Sequence, residues 1–186
     1  MISGNAVLAE NGEDGAGRWD QYATDPLNAR YLIEESGVRL MDGRAERVAA
    51  PGSAMKTRTA VLGQPVYGDL NGDGNKDAAL LLTHDPGGSG TFYYVAAAIN
   101  VNGRFQGTNA VLLGDRIALV DVGIRNGTVL VNYADRRPEE PMSAAPTVDQ
   151  KVQLILKHDK LESVETPVSA DPASSPLKIT FDLRCF

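Results

Sequence analysis

Residues 69–77 read DLNGDGNKD, and they lie between two segments that both favour extended structure. TAVL (59–62) and PVY (65–67) precede them, and the apolar run AALLLT (78–83) follows. β-branched and aromatic residues bounded by a cluster of Asn, Asp and Gly are typical of two strands joined by a loop. The sequence therefore predicts a strand–loop–strand unit, to which the rest of the chain adds further strands.

Within this unit, residues 69–77 form an acidic loop in which oxygen-bearing side chains occupy the first, third, fifth and ninth positions and glycine the sixth. Ca²⁺ takes about six to eight oxygen ligands, and its loops need a sharp turn midway. We expect Asp69, Asn71 and Asp73 to point inward. Asn75 would offer its main-chain carbonyl, and Asp77 would close the loop directly or through water. The predicted cofactor is therefore one Ca²⁺ ion.

The acidic loop is not a complete EF-hand. Its twelfth position is Leu80, where an EF-hand has a bidentate Glu, and its flanks favour strands rather than helices. It resembles the calcium loops of FG-GAP repeats in integrin-type propellers, over the nine residues and their strand context only. The loop has no internal repeat, which argues against a complete propeller. The alternative is a polar turn rich in Asn, Asp and Gly that needs no ion.

Signals for strands and tight turns fill the rest of the chain, and helix signals are scarce. A turn at residues 35–37 should join strands at 31–34 and 38–41, and Asn126-Gly127 between apolar runs is a strong hairpin signal. Further strands are expected at residues 44–49, 56–62, 78–83, 91–100, 109–113, 117–124, 128–133, 152–156, 161–164 and 177–183. We predict a mostly β fold, an antiparallel sandwich or curved sheet with one strand–loop–strand calcium site.

The chain length of 186 residues suits one domain. Residues 1–24 are rich in Gly, Asn and acids and are expected to be a flexible arm or a remnant of cloning. Residues 25–165 form the β domain. Residues 166–186 are expected to be a linker and a late strand.

Charge argues against nucleic acid as a partner, and hydrophobicity argues against a membrane-spanning segment. The net charge is −6, and no block of Lys and Arg is present, so nucleic acid is not expected as a partner. No run approaches the ~20 apolar residues of a membrane span.

The N-terminus lacks the pattern of a signal peptide, so the protein is either cytoplasmic or separated from its leader. The single cysteine, Cys185, cannot form an internal disulfide.

From about residue 28 to 164, the chain resembles a family of exported bacterial proteins of unknown function. The resemblance rests on five stretches: YLI (31–33), GDLNGDG (68–74), GSGTFYYV (88–95), GTNAVLLGDRI (107–117) and VNYADR (131–136). Members are often lipoproteins or periplasmic, and some carry a following META-type domain, which we do not expect within these 186 residues. The resemblance implies a periplasmic or outer-envelope location and no particular reaction.

Catalysis has few candidate residues, and we predict no catalytic group. His84 and His158 are the only imidazoles, and residues 87–90 (GGSG) lack the last glycine of a G-x-S-x-G nucleophile elbow. Arg116, Arg136 and Arg137 either bind an anionic ligand or pair with surface acids.

These observations lead to two functional hypotheses. The first is a calcium-binding β module of the bacterial cell envelope, which acts in binding or assembly with a protein or glycan partner. The alternative is a hydrolase with a cleft near His84, between the loops at residues 85–90 and 135–149.

Overall fold

The computed structural model describes residues 22–49 and 54–164, and within these ranges the fold is antiparallel β with no α-helix. The strands are β1 Tyr22–Ala23, β2 Arg30–Ile33, β3 Ser36–Arg39, β4 Arg44–Val48, β5 Lys56–Gly68, β6 Asp77–Asp85, β7 Phe92–Val101, β8 Arg104–Gly107, β9 Val111–Asp115, β10 Ala118–Arg125, β11 Thr128–Asp135, β12 Val148–Lys157 and β13 Lys160–Ser163. A 3₁₀ helix, Pro26–Asn28, follows β1. The predicted mostly antiparallel β fold is confirmed.

Seven strands form the main sheet, in the order β1-β8-β7-β6-β5-β4, with β9 paired to β7 beside β8. Strands β10 to β13 form a second sheet in sequential order, and β2 and β3 form a separate hairpin. The main sheet is strongly curled. Strand β5 has a register shift between Leu62 and Val66, where Gly63 has a positive φ of 75°. Such a bulge bends a strand and increases its twist.

Strands β6 and β7 lie at the centre of the molecule and are covered on both faces. One face carries Ala79, Leu81 and Val95, and it packs against Val129, Val131 and Leu154 of the second sheet. The other face carries Leu80, Leu82 and Tyr94, and it packs against Tyr31, Ile33 and Leu40 from the β2–β3 region. Burial on both faces explains why these strands are continuous apolar runs rather than alternating ones.

The predicted hairpin at Asn126-Gly127 is present, and both residues have positive φ, 49° and 73°. The hairpin between β2 and β3 differs in detail from its prediction. Its turn is Glu34-Glu35, with φ of 47° and 67°, and not residues 35–37. Gly37 lies within β3, where a Cβ would collide with the side chain of Arg30 at 2.4 Å. Glycine at position 37 therefore leaves room for the Arg30 side chain and is not part of the turn.

Strand β9 begins two residues later than its predicted start at Asn109. The side-chain amide of Asn109 donates to the carbonyl of Leu161 and accepts from its N–H. Asn109 thereby joins the main sheet to β13, which a local pattern does not predict. Of the expected arm at residues 1–24, residues 1–21 lie outside the described residues, and Tyr22–Ala23 form β1. The expected linker at 166–176 and strand at 177–183 also lie outside the described residues.

No helix within residues 22–49 and 54–164 has the length and apolar character that a membrane crossing requires.

Candidate functional site

The acidic loop leaves β5 at Gly68 and enters β6 at Asp77, so the predicted strand–loop–strand context is present. Both carboxylate oxygens of Asp69 accept backbone hydrogen bonds, one from Gly72 at 2.7 Å and one from Gly74 at 3.0 Å. Gly72 and Gly74 have positive φ, 80° and 83°, which glycine adopts without a Cβ penalty. The first side chain of the loop therefore shapes the turn that follows it.

The middle of the loop is held by its own polar side chains. Asp73 accepts from the backbone N–H of Asn75 at 2.7 Å and from the amide of Asn71 at 3.0 Å. The amide oxygen of Asn71 accepts in turn from the N–H of Asp73 at 3.0 Å. The N–H of Asn75, followed by the amide of Asn71, lowers the pKa of Asp73. Asp73 therefore remains a carboxylate at neutral pH, and all three residues are exposed.

Asp77 braces the base of the loop. Its side chain is fully buried, and its two oxygens accept from the N–H of Leu70 at 2.9 Å and from the N–H of Asn100 at 2.8 Å. Burial raises the pKa of Asp77, and the two N–H bonds oppose that rise. The amide of Asn100 also donates to the carbonyl of Lys76. The acidic loop is thereby fixed to the end of β7.

The second sheet supports the loop from the other side. Leu70 is buried in the core between the two sheets. A Cβ at Gly68 would lie 2.6 Å from the side chain of Ile124, and one at Gly127 would lie 3.6 Å from the carbonyl of Leu70. The loop thus rests on the β10–β11 hairpin, and its exposed tip faces away from a fixed base.

The atoms of this loop that could bind a metal suit a hard cation, because all of them are carboxylate, amide or carbonyl oxygens. Each carboxylate oxygen has two lone pairs, so the N–H bonds to Asp69, Asp73 and Asp77 leave capacity for a metal. Across residues 22–49 and 54–164, no three or more His, Cys, Asp or Glu side chains are grouped closely enough to hold a metal ion. A calcium site here would therefore also draw on Asn71, Asn75 and main-chain carbonyls.

No family model, curated protein or solved structure matches this chain. Functional inference therefore depends on the site geometry and on the sequence patterns.

His84 lies at the far end of β6, where it lines a cleft of about 530 Å³ between the β2–β3 hairpin and strands β4 and β5. We name it the arginine cleft, and its polar lining includes Arg30, Glu34, Arg39, Arg47, Thr59 and His84. His84 Nδ1 is hydrogen-bonded to the hydroxyl of Thr59 at 2.9 Å. The hydrolase hypothesis expected a cleft between the loops at residues 85–90 and 135–149, but no residue of either loop lines this one. His158 is exposed in the β12–β13 turn.

The three arginines considered as anion ligands all have protein partners. Arg116 pairs with Asp115 at 3.0 Å, and Arg137 pairs with Glu140 at 3.3 Å. Arg136 donates to the carbonyls of Ala144 and Arg116 at 2.6 and 3.0 Å, and to that of Asp115 at 3.3 Å. Arg136 therefore fastens the start of the loop between β11 and β12.

Sequence reasoning did not predict the arginine cleft. Its three arginines come from three different strands, and nothing in their local sequence distinguishes them from other surface arginines.

Proposed function

We propose that this chain is a calcium-binding β module and that the acidic loop holds one Ca²⁺ ion. The observation that supports the proposal most is the ordered loop itself. Asp69, Asn71, Asp73 and Asn75 share a turn braced by hydrogen bonds from its own backbone, while Asp77 fixes its base. A braced loop loses less conformational freedom when it binds a ligand.

In this proposal the ion supplies positive charge at a site where three aspartates repel one another. Asp69 and Asp73 would provide carboxylate ligands, Asn71 an amide oxygen, and Asn75 its main-chain carbonyl. Asp77 would close the loop at its base, either directly or through a water molecule bound to the ion. Because the unfolded chain does not hold these groups together, calcium binding would stabilise the folded state.

The proposed biological role is binding or assembly in the bacterial cell envelope, with a protein or a glycan as partner. This part of the proposal rests on the resemblance to exported bacterial proteins. The calcium site is compatible with it, since extracellular calcium modules bind the ion more weakly than cytosolic sensors do.

Thermal unfolding of the chelator-treated protein, with and without added Ca²⁺, tests the proposal. We expect calcium to raise the unfolding midpoint, by an amount that corresponds to about 2.7 kcal/mol when free calcium is 100 times the dissociation constant. Asp73→Ala should abolish the increase. Asp121→Ala, which removes an exposed aspartate from β10, is the matched control and should keep it. Equal midpoints with and without calcium would contradict the proposal.

The hydrolase alternative is favoured by one observation, which is that His84 and Glu34 line the same cleft. The hydroxyl hydrogen-bonded to His84 belongs to Thr59, which lines the cleft but is only 4% exposed. A screen of ester, phosphoester and glycoside substrates with wild type and His84→Gln tests this alternative. Turnover that disappears in the variant would support it, and no turnover by the wild type would reject it.

A further inference from the structure

The arginine cleft has the size of a small-molecule site. Its volume of about 530 Å³ lies within the roughly 300–1,000 Å³ of typical ligand pockets. The β2–β3 hairpin forms one wall and strands β4 and β5 the other, while His84 of β6 also lines it. The cleft lies at the opposite end of β6 from the acidic loop, so a ligand there would not touch the calcium ligands.

The lining of the cleft has one more arginine than glutamate, although the whole chain has a net charge of −6. Three arginines and two glutamates line it. One glutamate, Glu46, is bound by Lys56 and Arg58, and the hydrogen bonds from these two cations lower its pKa. The other, Glu34, accepts from the hydroxyl of Tyr94 at 2.6 Å. Glu46 is therefore paired with cations other than Arg30 and Arg47, and Glu34 is bonded to a neutral hydroxyl.

The hairpin places two arginines next to each other. Arg30 and Arg39 are directly opposite in the β2–β3 register, and like charges at opposed positions of an antiparallel pair repel. The guanidinium of Arg30 lies next to Gly37, where an added Cβ would overlap Nε and Nη2. Among the described residues, no carboxylate forms an ion pair with Arg30 or with Arg47.

We infer that the arginine cleft binds a small oxyanion, a molecule with a phosphate or carboxylate group. The planar guanidinium fork matches both groups in bidentate geometry. A bound anion would supply a counter-charge to Arg30 and Arg47. The size of the cleft suits a ligand larger than a bare ion, such as a sugar phosphate or a tricarboxylate, and the ring of His84 would contact it near Thr59.

Isothermal titration with inorganic phosphate and with citrate, at matched ionic strength in chloride buffer, tests this inference. Calcium is first removed on a chelating resin, because both anions bind calcium, so the result is independent of the acidic loop. We expect binding of at least one anion by the wild type. Tighter binding of phosphate would indicate a phosphate ligand, and tighter binding of citrate would indicate a carboxylate ligand.

Two variants locate the site. Arg30→Gln should weaken binding at least tenfold, whereas Arg104→Gln, which removes an exposed arginine from β8, should leave it unchanged. Gly37→Ala keeps every charge but displaces the Arg30 guanidinium, so it should also weaken binding. Circular dichroism shows whether each variant is folded. The inference is overturned if the wild type binds neither anion at millimolar concentration, or if folded Arg30→Gln and Gly37→Ala bind as the wild type does.

Discussion

The two ends of strand β6 differ in charge and in construction. At one end, the acidic loop is a single continuous segment whose side chains bond to the backbone of the same segment. At the other end, roughly 20–25 Å away at the ~3.3 Å rise of each strand residue, the arginine cleft is assembled from strands β2, β3, β4, β5 and β6. One strand thus connects a loop rich in oxygen-bearing side chains with a cleft lined by three arginines.

This difference shows how each site depends on the fold. The acidic loop is shaped locally and needs the fold only for its base, where buried Asp77 ties it to Leu70 and Asn100. The arginine cleft exists only when the hairpin docks against the main sheet through Tyr31 and Ile33. Damage to the base of the loop should therefore affect global stability, while damage to the hairpin should affect the cleft first.

The largest effect is expected from Asp77→Ala. The change leaves the N–H groups of Leu70 and Asn100 without their acceptor, and each unsatisfied buried group costs about 1–3 kcal/mol. We expect a loss of roughly 2–6 kcal/mol in the free energy of unfolding without calcium, measured by urea denaturation. Asp85→Ala, at the other end of β6, is the control and should cost much less. Equal losses would show that the two ends do not differ in this way.

A smaller effect is expected from Gly107→Ala, which tests how the hairpin is seated. The new Cβ would be 2.2 Å from the carbonyl oxygen of Arg30, a backbone atom that cannot rotate away. Overpacking of this kind costs about 1–3 kcal/mol. Gly123→Ala is the control, because a Cβ there meets nothing within 4 Å. If the two variants are equally stable, β2 is not held tightly against β8.

The smallest effect is expected from Tyr94→Phe, which removes the hydroxyl that donates to Glu34. Burial, and then the bond to Glu34, raise the pKa of Tyr94, so this hydroxyl remains a donor at neutral pH. Its loss should cost about 0.5–1.5 kcal/mol in thermal unfolding. Tyr93→Phe, next to it on β7, is the control, and a cost as large for this variant would argue against the Tyr94–Glu34 contact.

Local signals predicted much of the sheet. The Asn126-Gly127 turn was predicted because these residues accept positive φ, and the structure has positive φ at both. The turn between β2 and β3 was predicted at residues 35–37 and lies at Glu34-Glu35. Glutamate has no special preference for positive φ, so the sequence did not mark these two positions. Gly37 suggested a turn nearby, yet its role depends on Arg30, which is seven residues earlier in the chain.

The candidate sites show the same limit. The acidic loop could be recognised because its oxygen-bearing side chains lie within nine residues. The hydrogen bond that buried Asp77 accepts from the N–H of Asn100 could not, because Asn100 is 23 residues away. The arginine cleft could not be recognised, because Arg30, Arg47 and His84 come together only through strand pairing and hairpin docking. Long-range pairing of this kind leaves no periodic signal in the chain.

Equilibrium dialysis against Ca²⁺, with bound metal counted by atomic emission, tests the central claim most directly. The acidic loop predicts one ion per chain for the wild type and for Asp121→Ala, and none for Asp73→Ala. Wild-type protein that retains no calcium above the dialysis buffer, or an Asp73→Ala variant that retains as much as the wild type, would contradict the account.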